Sequence, residues 1–465
     1  MTAWLDNSLL RGGLKAFAVS VLLTPVLRDV FRAYNVVDRP GHRRLHAYPV
    51  PRIGGIPIAA AYAFGLYSLS NSGIDLGFPL WKLLPGAGVV FLTGLLDDFF
   101  TLRPAVKLTG QILAALLIFW NGLHLGTLGA GSVLPVWLDL PLTVFWLLLT
   151  TNALNLIDGL DGLCAGVGLV ATLTLFGAAI LYGNQPLMYA TLPLACALVG
   201  FLFYNVNPAT VFLGDSGALL VGFLLGCYGM IWTQKTSTLL SLLVPLMALS
   251  VPLLDVMLSV LRRLIRRQPI FTADRAHIHH RLLDRGLTPK SAVLVLYLFA
   301  AGGAAVALML SAPQAARFHN LLVALLVAAI LLGLRELQYR EFNLFGKLLF
   351  GGEFQQSLQA KLRLDRLSIS LAGAQTPEAW WRVLEETARD CGWARLRWIG
   401  SGGVREAGSP PATPAWTFQA PMGDWGSIEI DGASGSQSVD LADFAATLRR
   451  SVENRAPAGM PVEVH

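Results

Sequence analysis

Residues 141–180 read PLTVFWLLLTTNALNLIDGLDGLCAGVGLVATLTLFGAAI. An apolar stretch enters this segment and another leaves it. Between them Asn152, Asn155, Asp158 and Asp161 recur at every third position. A bilayer-spanning helix needs roughly 20 mostly apolar residues, so the flanks read as two spans and the polar run as their junction. The rest of the 465-residue chain agrees, with 54% hydrophobic and only 14% charged residues, against about a quarter charged in an ordinary soluble domain. With a mean hydropathy of +0.57, this balance excludes a soluble globular enzyme, a disordered chain and a disulfide scaffold. Four cysteines in such a length form no disulfide framework. Cys164, Cys196 and Cys227 lie in apolar runs and read as small core residues. The chain is a polytopic membrane protein.

Working outward, about eleven apolar runs are long enough to cross a bilayer, centred near residues 20, 62, 90, 113, 146, 172, 195, 222, 250, 301 and 326. The first has no small-residue cleavage site and is followed by Arg28, Arg32 and Arg39, so it reads as a retained span rather than a signal peptide. Basic residues then assign the sides. The loops 28–52 and 262–290 are rich in arginine, and Arg103 and Lys107 follow the third run. The alternate loops hold little beyond Lys82, Lys235 and Arg317. The excess of Lys and Arg on cytoplasmic loops places the N-terminus outside, and the long basic loop and the C-terminus inside. Near Phe345 the composition turns to mixed charge with Gly, Ser and Pro. Residues 1–345 are therefore expected to form an all-α transmembrane domain. Residues 346–465 are expected to form a small cytoplasmic α+β domain, with a helical pattern over Pro377–Asp390 and short strands near Ala394–Ile399 and Ser427–Ile430.

Charged groups within hydrocarbon cost several kcal/mol, which makes ionisable residues near spans functional candidates. Asp97, Asp98, Asp158, Asp161 and Asp215 all sit at span ends, and the sidedness assigned by Lys and Arg puts all five on the cytoplasmic face. Carboxylates gathered at a wet membrane surface suit Mg²⁺, which takes one or two of them and fills its other positions with water and phosphate oxygens. Neighbouring arginines offset the repulsion between such carboxylates and a phosphorylated substrate. On a continuous helix the run from Asn152 to Asp161 drifts through half a revolution, so its members converge only if the helix ends partway, as Gly159 and Gly162 permit. Phe212-Leu-Gly-Asp215-Ser-Gly217 reads as a tight turn opening a helix, with Asp215 or Ser216 as N-cap. His277-Ile-His279-His280 follows Ala273-Asp274-Arg275. It lacks the i,i+4 spacing and cysteines of a zinc site and fits phosphate hydrogen bonding.

These four motifs, in order over about residues 10–335, resemble the polyprenyl-phosphate N-acetylhexosamine-1-phosphate transferases. The resemblance implies transfer of a sugar 1-phosphate from a UDP-N-acetylhexosamine to undecaprenyl phosphate, with Mg²⁺ (or Mn²⁺ in its place) and release of UMP. It implies Asp215 and Asn155 as metal ligands, Asp97 and Asp98 as catalytic residues and Lys107 as a contact to the lipid phosphate. Arg263, Arg275, His277, His279 and His280 would hold the donor diphosphate, and Asn152, Asp158 and Asp161 would line the nucleotide site. The stretch from His46 through Arg52 to Gly55 also matches. Ile278 interrupts the contiguous triple histidine of the branch that transfers phospho-MurNAc-pentapeptide. The chain therefore resembles the branch that uses UDP-GlcNAc to start O-antigen, common-antigen or teichoic-acid chains. The implied setting is the inner membrane of a bacterium, multi-pass, with the bilayer as partner, room for a homodimer and no nucleic acid. Residues 346–465 have no counterpart in that core and faintly resemble a GAF-like sensory domain.

The acceptor is a phosphate monoester with a second pKa of about 6, already mostly dianionic near pH 7. Asp97 and Asp98 are thus expected to organise metal, water and acceptor rather than to abstract a proton. The rival from another class is a secondary transporter or lipid flippase, which calls for midplane carboxylates and inverted repeats. Asp255 is the one residue that favours it.

Overall fold

The structure is a computed structural model. It describes residues 7–38, 49–126, 134–235, 243–265, 277–312, 366–432 and 444–448, with short gaps at 74–75, 77, 375, 401–402, 412–413 and 422–425 and with residues 324 and 364 standing alone. The chain divides into two compact units, Met1–Gln338 and Tyr339–His465.

The first unit is helical: α1 (Asn7–Ala33), α2 (Gly55–Ser70), α3 (Phe78–Phe100), α4 (Pro104–Trp120), α5 (Val136–Ile157), α6 (Leu163–Tyr182), α7 (Gln185–Asn205), α8 (Gly214–Lys235), α9 (Leu243–Ala248), α10 (Ser250–Ile265), α11 (Ile278–Asp284) and α12 (Pro289–Ser311). Local signals set several boundaries. Asn184 and Thr288 accept hydrogen bonds from the backbone N–H groups of Leu187 and Ser291 and so cap α7 and α12, each with a proline in the first turn, a placement in which the missing N–H costs nothing. Gly183 closes α6 in the left-handed region. Among the described residues, six helices are long and apolar enough to cross a membrane: those over Lys82–Phe100, Val136–Ile157, Leu163–Tyr182, Gln185–Asn205, Gly214–Thr233 and Pro289–Ser311. The apolar helices α2 and α4 are shorter. The run near residue 250 is broken between α9 and α10. The run near 326 lies outside the described residues, as do Arg275 and residues 39–48 with His46.

The long helix α8 is buried throughout its apolar length and packs against α3, α5, α2 and α6. Lipid offers no hydrophobic drive for helices to associate, so close backbone approach at small residues does that work. Gly222 and Gly226 of α8 lie against Thr150 and Thr151 of α5. A Cβ at 222 would stand 2.7 Å from the Thr150 carbonyl oxygen and 2.9 Å from the Thr151 Cα. This packing sets the start of α8 beside the ends of α3 and α5.

In the second unit, helix α13 (Pro377–Cys391) precedes β1 (Trp393–Gly400), β2 (Gly403–Gly408), β3 (Trp416–Pro421) and β4 (Ser427–Gly432). The strands form one antiparallel sheet in the order β2-β1-β4-β3. Strand alternation sends Leu396, Ile428 and Ile430 into a shared core with Trp380 and Leu384 of α13 and with Phe444. It sends Arg395 and Arg397 to the opposite face, where they pair with Asp431 and Glu429.

Because the atoms facing Gly222 are backbone, Gly222→Ala is expected to lower thermal stability in detergent by about 1–3 kcal/mol, the usual cost of overpacking. Gly302→Ala, also inside a helix but where a Cβ meets nothing within 4 Å, serves as the control in the same melting series and is expected not to lower stability.

Candidate active site

Asp97 and Asp98 occupy the last turn of α3, and Asp215 the first turn of α8. Gly214 between them has φ of +74°, a conformation that costs glycine nothing. A Cβ there would sit 2.8 Å from both Asp98 oxygens, so only glycine lets α8 start so close. Asp98 then supplies the cap from outside. Its Oδ1 accepts the Asp215 N–H at 2.7 Å, and its Oδ2 accepts the Ser216 N–H at 3.0 Å and the Ser216 hydroxyl at 2.6 Å. This corrects the reading of Asp215 or Ser216 as N-cap. The acceptor comes from α3, which leaves the Asp215 carboxylate for other partners.

Those partners are Lys107 and Asn155. The Lys107 ammonium lies 2.7 Å from Asp215 Oδ2 and 2.8 Å from Asp97 Oδ2, so one cation bridges two carboxylates. The Asn155 amide donates to Asp215 Oδ1 at 2.7 Å. The remaining Asp97 oxygen accepts the Leu102 N–H at 2.6 Å and closes the α3–α4 connection. Helices α3, α4, α5 and α8 thus contribute Asp97, Asp98, Lys107, Asn155 and Asp215 to one cluster.

Other expected residues lie around it with different partners. Asn152 and Gln111 of α4 exchange amide hydrogen bonds of 2.6 and 3.3 Å. Asp161 accepts from the Asn207 side chain at 2.9 Å and the Ala209 N–H at 3.0 Å, which ties the 158–162 turn to the loop before α8. Gly162 in that turn donates to Asn205 Oδ1 at 3.1 Å and accepts from the Tyr297 hydroxyl at 2.5 Å. Arg52 pairs with Asp38 at 2.6 Å. Its strand segment hydrogen-bonds alongside Phe212 and Leu213 and brackets the turn into α8. Asp158 faces the cluster electrostatically: desolvation, then the charges of Asp215 and Asp98, push its pKa up to about 8, with Arg52 opposing.

The histidines form an array. The rings of His277 and His279 are parallel with centroids 5.7 Å apart, and His279 and His280 are 4.3 Å apart. His279 is 2% exposed, and its Nε2 lies where a Cβ on Gly159 would fall 2.5 Å away. Burial, then the neighbouring His280, hold its pKa down to about 4, so it is neutral at pH 7. Arg263 lies in the last turn of α10. Asp255, which favoured a transporter, instead accepts from His277 Nδ1 at 2.9 Å and the Ile278 N–H at 2.8 Å.

Sequence reasoning did not single out Gln111, Asn205, Asn207 and Tyr297. The first three carried a signal of the kind used for Asn152: amides within or at the ends of apolar helices. Tyr297, inside an apolar run, carried none.

The donors at the centre are hard oxygens: two carboxylates and the Asn155 amide, whose oxygen remains free to accept. Among the described residues no group of three or more His, Cys, Asp or Glu is spaced to hold a metal. The hard oxygen donors present suit an ion such as Mg²⁺, which takes one or two carboxylates and fills its other positions with water and phosphate oxygens.

Comparison with known proteins bears on the same stretch. The family described as glycosyl transferase family 4 matches residues 80–233, which run from α3 to α8 and hold all five members of the cluster. A probable undecaprenyl-phosphate N-acetylglucosaminyl 1-phosphate transferase of Bacillus subtilis is 35% identical over 291 residues, covering 61% of this chain and 80% of that protein. The chain belongs to this transferase family. A decaprenyl-phosphate N-acetylglucosaminephosphotransferase of Mycolicibacterium smegmatis is 32% identical over 62% of this chain and 78% of the relative. An undecaprenyl-phosphate alpha-N-acetylglucosaminyl 1-phosphate transferase of Escherichia coli K12 is 28% identical over 61% and 79%. With its apolar helices, family membership makes this a bacterial membrane transferase.

The raised pKa of Asp158 has a signed consequence for the metal-free protein. Between about 3.8 and about 8 the folded state keeps a proton that the unfolded chain has released, so the stability this group contributes is full below pH 3.8 and is lost as pH rises through 8. In EDTA, the melting temperature of wild type is expected to fall more steeply from pH 5 to 8 than that of Asp158→Asn.

Proposed function

We propose that this chain transfers N-acetylglucosamine 1-phosphate from UDP-N-acetylglucosamine to undecaprenyl phosphate at the cytoplasmic face of the membrane, releasing UMP and starting a cell-surface polysaccharide. The observation that carries the reading is the cluster of Asp97, Lys107, Asn155 and Asp215 where α3 and α5 end and α8 begins. The names of the relatives give the transferred group, N-acetylglucosamine 1-phosphate, and the acceptor, undecaprenyl phosphate, and the UDP carrier is what the resemblance implies. The arginine-rich loops beside this end of the bundle support a cytoplasmic placement. A count of eleven crossings follows if α1 to α8, the broken α9–α10 pair, α12 and the run near residue 326 each span once.

In the proposed reaction a phosphate oxygen of the acceptor attacks the sugar-bearing phosphorus of the donor diphosphate. The bond from that phosphorus to the bridging oxygen breaks, and UMP departs with that oxygen. Since the attacking oxygen is already ionised near pH 7, no residue has to remove a proton from it. The protein's task is to position two anions and to offset their repulsion. Asp215 and Asn155, with Asp97 beside them, form the donor set that would hold Mg²⁺ or Mn²⁺, and such an ion supplies positive charge to the diphosphate. Lys107, on a flexible stem at the same point, provides the cation for the acceptor phosphate. Asp98 holds the first turn of α8 and thereby aims Asp215. His279, neutral and buried, presents a hydrogen-bonding ring to the 158–162 turn without adding charge.

The test is incubation of purified protein with undecaprenyl phosphate and a panel of radiolabelled UDP-sugars, with Mg²⁺ or with EDTA. UMP release is expected with UDP-N-acetylglucosamine and Mg²⁺ only, and Asp215→Asn is expected to reduce it by a factor of at least about 100, the scale of a lost transition-state charge contact. Release that survives EDTA, or none with any donor, would contradict the reading.

A further inference from the structure

Two helices at this site begin against an aspartate that belongs to another helix. Asp98 holds α8, and Asp255 of α10 holds the start of α11. Asp255 is 1% exposed, and both of its oxygens are engaged. Oδ2 lies 2.9 Å from His277 Nδ1, and Oδ1 accepts the Ile278 N–H at 2.8 Å. A carboxylate only accepts, so Nδ1 carries the hydrogen of this bond and the other ring nitrogen, Nε2, is turned away from Asp255. The His277 side chain caps nothing in its own helix. Its ring is instead fixed by Asp255 and lies parallel to that of His279. The His279 ring in turn fills the space over Gly159, next to Asp158. One contiguous path therefore runs from the Asp255 carboxylate through two imidazoles to the turn that faces the carboxylate cluster.

We infer that Asp255 is a positioning residue for the donor site, fixing the place of His277 and of the start of α11 and through them the histidine array. The inference rests on the proposed transferase reading, together with the donor-holding role that the family resemblance implies for these histidines. Partners that orient a functional histidine through its other nitrogen recur in protein sites, and their loss commonly costs on the order of 10- to 100-fold. Asp255→Asn replaces one acceptor oxygen with a donor. It cannot accept from both the His277 and Ile278 N–H groups, so one of the two anchors of this segment is lost.

The full-length protein in lipid nanodiscs is assayed for UMP release, varying UDP-N-acetylglucosamine at saturating undecaprenyl phosphate and then the reverse. Asp255→Asn is expected to lower kcat/KM for the donor about tenfold or more and to leave KM for the acceptor within about twofold. The histidine itself offers a second test that leaves Asp255 intact. In His277→Asn the amide N–H falls near the position of Nδ1 and keeps the bond to Asp255, so it is expected to retain far more donor kcat/KM than His277→Gln, whose amide mimics Nε2. The double variant Asp255→Asn/His277→Gln is expected to be no worse than the poorer single variant. An active wild type with an indifferent Asp255→Asn, with equal losses for both substrates, or with His277→Asn and His277→Gln alike would overturn this role alone. A wild type inactive with every donor would overturn the parent reading and this role with it.

Discussion

A single ammonium between two carboxylates governs this site. Asp97 and Asp215 come from helices far apart in sequence, and at the edge of hydrocarbon their charges would drive the ends of α3 and α8 apart. Lys107, within 2.8 Å of both, removes that repulsion and draws α4 into the same cluster. The arrangement also defines what the cluster can accept. A place between two acidic groups that is held by a cation is a place for a cation, and phosphate oxygens approach the same point only when positive charge is there to meet them.

The second constraint is the supply of acceptors to helix N-termini. The first N–H groups of a helix lack intrahelical partners. The usual remedy is a local Ser, Thr, Asn or Asp, and α7 and α12 use it. The helices α8 and α11 use Asp98 and Asp255 instead. A cap borrowed from another helix makes the orientation of one element depend on its neighbour, which suits residues that must meet across a bundle. It also explains how the Asp98 and Asp215 carboxylates can lie close with no cation bridging that pair: the first accepts the backbone N–H of the second and the N–H and hydroxyl of Ser216.

Much of this was legible in the sequence. Membrane class followed from composition, and the helical unit from runs of apolar residues, because lipid permits few other solutions. That the polar run from Asn152 to Asp161 must leave the helix partway followed from its period, and α5 does end at Ile157. Asn155 alone of the run reaches Asp215 directly. What the sequence concealed were choices of partner. Spacing gives no reason why Asn152 should take Gln111, why Asp161 should take Asn207, or why the cap of α8 should come from Asp98. Each depends on which helices pack together, and that is decided by small residues such as Gly222 rather than by the polar residues themselves. Asp255 shows the same limit. Read alone it is a charge inside a span; beside His277 it is a hydrogen-bond acceptor.

The most direct measurement is the affinity of the purified protein for Mn²⁺, read by electron paramagnetic resonance in nanodiscs, for wild type and Lys107→Met. If the ammonium stands where a divalent ion binds, its removal tightens Mn²⁺ binding, by about tenfold for each 1.4 kcal/mol of competition relieved. Additional loss of Asp215, in Lys107→Met/Asp215→Asn, then abolishes the gain. Unchanged or weaker binding in Lys107→Met would contradict the account.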